Sequence, residues 1–423
     1  MGIWGRSGTI SIENFNNEGT ISGISRQEKG VHFEGNVHIQ TFHNTGTGFI
    51  TGERQGVWFQ GNNVNLKSND KPLHITLFNN EGFISGSGGD NLLDNDGARG
   101  YYSGGGVSMS GGTIDTFINK GTIQSTGTNH NPAGVKLNYA TVKTFENTGF
   151  ISGTIGVLAT QGTIETFKNS GTIEATGKDG REAAIQIRSA FEKFSSITHF
   201  TNEGIIKSKS HGVLIESGDK IETLTNKGTI ETELNGIGFY NYTGSEETHL
   251  GKIILEKDSS IKAGKNGINI DNQTTARSIR VDGIEVKAGA SVSGDEAGIY
   301  LGESKEITAP ITISGTVSGG NAGIVNEGRM AKGITHDGEG DLVILSRGLV
   351  GKDDDGNTVT NNSGSVTIKD WVVTTNEEGK LDTVRIGGTK TDDVKVNSIT
   401  VDQSNVDLNQ LNDIKNIISG VSP

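Results

Sequence analysis

Four stretches of this chain carry residue types that could do chemistry. Asp90, Asp94, Asp96 and Arg99 crowd into a glycine-rich insertion between Ser85 and Gly106. Clustered carboxylates can act as general acid and base on sugars, or hold Ca²⁺ while a basic residue removes a proton. All of them sit on one insertion instead of recurring at regular intervals, so a solvated loop accounts for them as simply. Asp353-Asp354-Asp355-Gly356-Asn357 alternates oxygen ligands as a Ca²⁺ loop does, but its glycine stands fourth, not sixth, and the twelfth position is Gly364, not Glu. An acidic turn is the reading. The histidines are scattered, and His38 and His43 lie close in sequence without a third ligand. Gly364-Ser365 lacks the Gly-Asp-Ser-Gly setting of a protease nucleophile. Catalytic residues, a metal site and a cofactor are therefore not expected.

The elements that would have to position such residues are set by a repeat. Ile114-Asp115-Thr116-Phe117-Ile118-Asn119-Lys120-Gly121-Thr122-Ile123 returns, lightly edited, through the first half of the chain. Its fixed letters are Phe-x-Asn-x-Gly, at Phe15, Phe42, Phe78, Phe117, Phe145, Phe167 and Phe200, with Leu224 in an eighth copy. Successive phenylalanines lie 22 to 39 residues apart, inside the range of stacked repeat units. Phe117, Asn119, Gly121 and Ile123 share parity, which is strand alternation. Ile114 breaks that parity and predicts a bend before Phe117 that divides two short strands.

A second phrase follows each copy: Gly30-Val31-His32-Phe33, Gly56-Val57-Trp58-Phe59, Gly106-Val107-Ser108-Met109, Gly134-Val135-Lys136-Leu137, Gly156-Val157-Leu158-Ala159, Gly212-Val213-Leu214-Ile215 and Gly236-Ile237-Gly238-Phe239. At residues 184–187, alanine takes the place of the glycine. The phrase outlasts the first one, at Gly267-Ile268, Gly298-Ile299 and Gly323-Ile324. Short strands joined by turns, with like residues stacked on like, describe a parallel β-solenoid. A buried asparagine needs a partner for its amide, and stacked coils supply one as a ladder. The ladder would run through Asn17, Asn44, Asn80, Asn119, Asn147, Asn169, Asn202 and Asn226.

Composition agrees with this class. Glycine is 64 of 423 residues and proline only 4, against usual shares of about 7% and 5%. A net charge of −13 without any Lys/Arg run opposes nucleic-acid binding. There is no cysteine, hence no disulfide framework or thiol catalyst. A chain without closed disulfide loops also suits threading through a membrane pore. No signal segment opens the sequence and no 18-residue apolar run occurs, so the chain reads as an excised fragment.

Residues 1–339 are expected to form the repeat region. Residues 340–402 bring closer, more apolar strands around Trp371 and read as a C-terminal β cap that covers the last edge. Leu408, Leu411, Ile414 and Ile418 recur at helical spacing between Asp407 and Gly420, so a short terminal helix is expected over 403–423. Insertions at the corners project from a solenoid and often bind partners. The candidate ligand-binding residues are accordingly Arg99, Tyr101, Tyr102, Tyr240 and Tyr242.

The Phe-x-Asn-x-Gly-Thr-Ile copies, together with the Trp371 segment and amphipathic tail, resemble the passenger domains of Gram-negative autotransporters, adhesin-like group. That resemblance implies a right-handed parallel β-helix, exported across the outer membrane and exposed at the cell surface or secreted. It also implies an outer-membrane β-barrel of the same full-length chain, absent here, and an autochaperone role for residues 340–402. The expected function is a non-enzymatic adhesin for host cell-surface protein, matrix or glycan, with self-association as a further partner mode. A polysaccharide-active lyase or hydrolase is the alternative, as is a toxin-like passenger, because fold does not decide activity.

Overall fold

The alternating Thr, Ile, Val and Phe segments form strands because β-branched and aromatic side chains fit a pleated, half-buried surface. The computed structural model is an all-β parallel solenoid with no α-helix among the described residues. It describes residues 3–5, 9–24, 28–61, 73–87, 104–127, 132–189, 194–216, 218–240, 247–272, 279–374, 383–402 and 417–420. The chain divides into two compact units, Met1–Ile221 and Glu222–Pro423.

In the first unit each coil offers three strand positions. The Phe-Asn strands, such as Asn36–Asn44 and Thr163–Asn169, stack in parallel so that Phe15, Phe42, Phe78, Phe117, Phe145, Phe167 and Phe200 lie in one register. Their rings stack nearly flat, centroids 4.5 to 5.0 Å apart, which is the inter-strand spacing itself. Short strands such as Phe83–Gly86 and Phe150–Gly153 make a second parallel face. The Gly-Val strands, such as Gln55–Gln60 and Ile155–Thr160, return to the first sheet.

The asparagines form a continuous ladder beside the phenylalanines. Each Nδ2 donates to the Oδ1 one coil on, from Asn17 through Asn44, Asn80, Asn119, Asn147 and Asn169 to Asn202, at 2.7 to 2.8 Å. Glycine follows two residues later because the coils touch there. A Cβ on Gly149 would lie 2.1 Å from the Gly121 carbonyl oxygen. The glycine of the Gly-Val phrase answers a different contact. A Cβ on Gly134 would meet Ile151 Cγ2 at 2.7 Å, so this position admits the core isoleucine of the facing strand.

The bend expected between Ile114 and Phe117 does not divide the strand. Gly105–Asn119 runs unbroken, with Ile114 and Phe117 both fully buried. The turn is taken upstream at Gly111 and Gly112, whose φ values are +75° and +98°, a region only glycine enters without strain.

The second unit keeps the same stacking with plainer side chains. Asn226 donates to the Gly228 and Ser260 carbonyls at 3.1 and 3.2 Å. Asn266–Ile270, Ala297–Leu301 and Ala322–Asn326 stack in parallel. Beyond residue 340, Asp341–Ser346 pairs with Ala322–Asn326 and then with Ser365–Val373, the register shifting between Ile344 and Leu345. Ser365–Val373 in turn pairs with Val394–Val396 and Ile399–Val401, and Trp371 is fully buried. Of the expected terminal helix, Leu408, Leu411 and Ile414 lie outside the described residues. Ile418 is in a strand, Ile418–Ser419, paired with Val384 and Arg385, because a neighbouring strand offers main-chain partners there.

Asn119→Ala should cost the protein about 2 to 3 kcal/mol by leaving adjacent ladder amides short of partners. Asn119→Asp should cost more, because Asn147 Oδ1 and the Gly121 and Phe150 carbonyls would then face a buried carboxylate. Denaturant titration of the two variants checks the order. Trp371→Ala should cost about 3 to 5 kcal/mol, measured in the same way.

Candidate functional site

Of the candidate binding residues, Tyr240 closes the strand Ile237–Tyr240 and is half-buried. Arg99, Tyr101, Tyr102 and Tyr242 lie outside the described residues, as do Asp90, Asp94 and Asp96. His38 and His43 do not converge. His38 Nδ1 stands 3.2 Å from His74 Nδ1 one coil on, and His74 Nε2 is 2.9 Å from Asp115. His43 instead faces Glu81 at 3.4 Å. Among the described residues no group of three His, Asp or Glu is arranged to hold a metal ion.

The acidic turn binds itself. Asp353 Oδ1 accepts the backbone N–H groups of Asp355 and Asn357, at 3.0 and 2.7 Å, and Oδ2 accepts the Thr360 hydroxyl at 2.5 Å. Burial acts to raise this carboxyl, but the hydrogen bonds outweigh it and hold the group below its ordinary value. Ser365 Oγ donates to Asp341 at 2.5 Å.

Sequence reasoning passed over a buried acid pair in the first unit. Glu216 and Asp219 are 2% and 0% exposed. Gln186 Nε2 donates to Glu216 Oε1 at 2.6 Å, and Arg188 Nε lies 3.5 Å from Oε2. Asp219 Oδ1 accepts the Ser195 N–H at 2.6 Å, while Lys220 N–H bonds the Ser195 carbonyl at 3.0 Å. Burial pushes Glu216 up to about 7, with Arg188 and Gln186 pulling it back, and burial pushes Asp219 well above its ordinary range. Raised carboxyls are what a glycosidase acid needs, but such groups must flank a substrate. These two are closed off from solvent and spend their hydrogen bonds on the chain's own backbone and side chains, which fastens the segment around Ser195.

An open site lies in the second unit. The strand alternation that sends Ile299 and Leu301 inward leaves Tyr300 outward. Register then lines up Asn269, Tyr300, Val325 and Leu345 on successive coils. Ala297, Ala322 and Val325 pack there as an apolar cluster, with Tyr300, Val343 and Leu345 against it. Above them is a groove of about 260 Å³, whose rim carries Glu296 and Asn321, Glu327 and Arg347, and Lys369. No protein-family model, curated sequence or solved structure matches the chain. The groove's chemistry must therefore be read from its own residues.

That chemistry is mixed. Tyr300 Oη donates to Glu327 Oε2 at 2.5 Å, and Arg347 Nη1 lies 3.7 Å from Glu327 Oε1. Burial and the Glu327 carboxylate raise the Tyr300 hydroxyl above its ordinary value, which keeps it a donor. Lys369 Nζ reaches across to the Asn321 carbonyl at 2.8 Å. Asn266 lines the groove at 2% exposure, and its Oδ1 has no hydrogen-bond partner among the described residues. The sequence signal was Val325, an apolar residue at an outward position of the Gly-Ile phrase.

The buried acid pair gives a signed pH dependence. A carboxyl raised in the folded state holds its proton where the unfolded chain has lost it, so folding stability is greatest below the ordinary value of 4.5 and falls as pH rises to about 7. Glu216→Gln should remove up to about 3 kcal/mol of that fall, leaving the part due to Asp219. Denaturant unfolding at a series of pH values between those limits reads it directly.

Proposed function

We propose that this solenoid is an adhesive, non-enzymatic surface protein, a passenger of the autotransporter type exported across the outer membrane of a Gram-negative bacterium. The observation that carries the binding reading is the groove over Val325. It is open, floored by apolar side chains and rimmed by hydrogen-bonding groups, whereas Glu216 and Asp219 are closed off. The resemblance of the Phe-x-Asn-x-Gly copies to adhesin passengers supports the surface setting. A chain free of cysteine suits export in an unfolded state.

Stacked coils suit adhesion physically. Each coil contributes its own outward residues while the core stays uniform, so a contact surface is assembled without altering the fold. Partners in this reading are host-cell proteins or glycans, with self-association as a second mode.

The labelled chain should bind host cells saturably, and Val325→Arg, which places a long charged side chain on the groove floor, should lower that binding at least about tenfold. This corresponds to about 1.4 kcal/mol. A second variant, with residues 87–104 replaced by a short Gly-Ser link and Tyr240 and Tyr242 changed to Ser, tests the insertions. Full binding by the groove variant with loss in the loop variant would place adhesion on the insertions. Turnover of an acidic polysaccharide by the wild-type chain would overturn the non-enzymatic reading.

A further inference from the structure

We infer that the groove over Val325 is a subsite for a single uncharged pyranose ring, the terminal or branch sugar of a glycan. The inference deepens the adhesive reading and rests on it only for its biological setting, because the chemistry below stands on the groove alone.

Size sets the first limit. Drug-sized ligands occupy roughly 300 to 1,000 Å³, and this groove, at about 260 Å³, holds something smaller. The floor crosses three coils, at Ala297, Val325 and Leu345, a span of roughly 10 Å at the inter-strand spacing. That is the length of one six-membered ring with its substituents.

Charge sets the second. Glu296 and Glu327 face Arg347 and Lys369 around the rim, so the formal charges cancel. Each cation also has an anchor: Arg347 lies beside Glu327, and Lys369 holds the Asn321 carbonyl. Neither is arranged as a clamp for a carboxylate or sulfate. The Glu327 carboxylate, already engaged by Tyr300 and Arg347, is equally unsuited to a lone ammonium group.

Main-chain geometry excludes the commonest peptide mode. A docked strand needs an unpaired edge, and Ala297–Leu301 is paired on both sides, by Asn266–Ile270 and Ala322–Asn326. What the site offers instead is an apolar floor with donors and acceptors around it. A pyranose has the matching form, a face of C–H groups bordered by hydroxyls that both donate and accept.

So small a contact implies affinity on the order of millimolar, raised in use by presentation of many sugars on one surface. The test is saturation-transfer NMR with the full chain and a panel of methyl pyranosides. Neutral members are the glucoside, galactoside and N-acetylglucosaminide; charged comparators are the glucuronide and the glucosaminide. At least one neutral glycoside should give about threefold more transfer than either charged one, and should lose it in Val325→Arg. The rim variant Asn321→Ala/Glu327→Ala, which leaves the floor in place, should lose it as well and covers the case in which Val325→Arg fails to fold. Phe49→Ser, in the other unit, should keep it. Preference for a charged sugar, no transfer from any sugar, or undiminished transfer in a folded groove variant would overturn the inference. If cells still bind while no pyranoside does, the subsite fails and the adhesive reading stands. Pyranoside transfer without cell binding would do the reverse.

Discussion

Everything in this protein depends on keeping each coil in register with the next. A parallel stack satisfies main-chain groups between coils, not within them, so every outward or inward residue inherits its neighbour from a coil about thirty positions away. The phenylalanine column and the asparagine ladder hold that register from two directions. Flat ring stacking tolerates small slides along the strand, whereas the amide bonds at 2.7 to 2.8 Å do not. A one-residue slip would turn the apolar face outward and break each rung of the ladder at once. Close glycine contacts, such as Gly149 on Gly121, remove the remaining freedom by leaving no room for another residue.

The solenoid was legible because its constraint is periodic. Parity between Phe117, Asn119 and Gly121 was enough to assign a strand face, and recurrence was enough to stack it. Features that depend on a single place were harder to read. The break of parity at Ile114 looked like a divided strand, but paired glycines two residues upstream take the turn and let the chain run on. Ile418 fits a helical spacing with Leu411 and Ile414, yet its main chain pairs with Val384, a partner no local pattern reveals. The groove was invisible for a related reason. Its lining spans Asn266 to Lys369, and those side chains meet only after coils of unequal length have been closed.

The two polar sites show how one architecture can bury a carboxylate or leave it at an open surface. Glu216 and Asp219 lie where the Gly-Val strand hands over to a corner, and burial commits their hydrogen bonds to Gln186 and Ser195. On the outward face of the Gly-Ile strands, Tyr300 and Glu327 are paired but only partly covered, so their remaining polar capacity faces the groove. The difference is one of covering, not of residue type. The same carboxylate chemistry fixes the chain in one unit and lines an open surface in the other.

The ladder also has a direction. All six amide-to-amide bonds from Asn17 to Asn202 run the same way, the earlier coil donating and the later accepting. The orientation is enforced, because each interior Nδ2 also faces a glycine carbonyl and a carbonyl of the following coil, as Asn119 faces Gly121 and Phe150. The amide dipoles therefore add head to tail and polarise one another. At each interior rung of such a column the carbonyl oxygen faces the preceding coil and the N–H the following one. A coil joining from one side must arrive as acceptor and from the other as donor, so the stack carries a built-in polarity of growth.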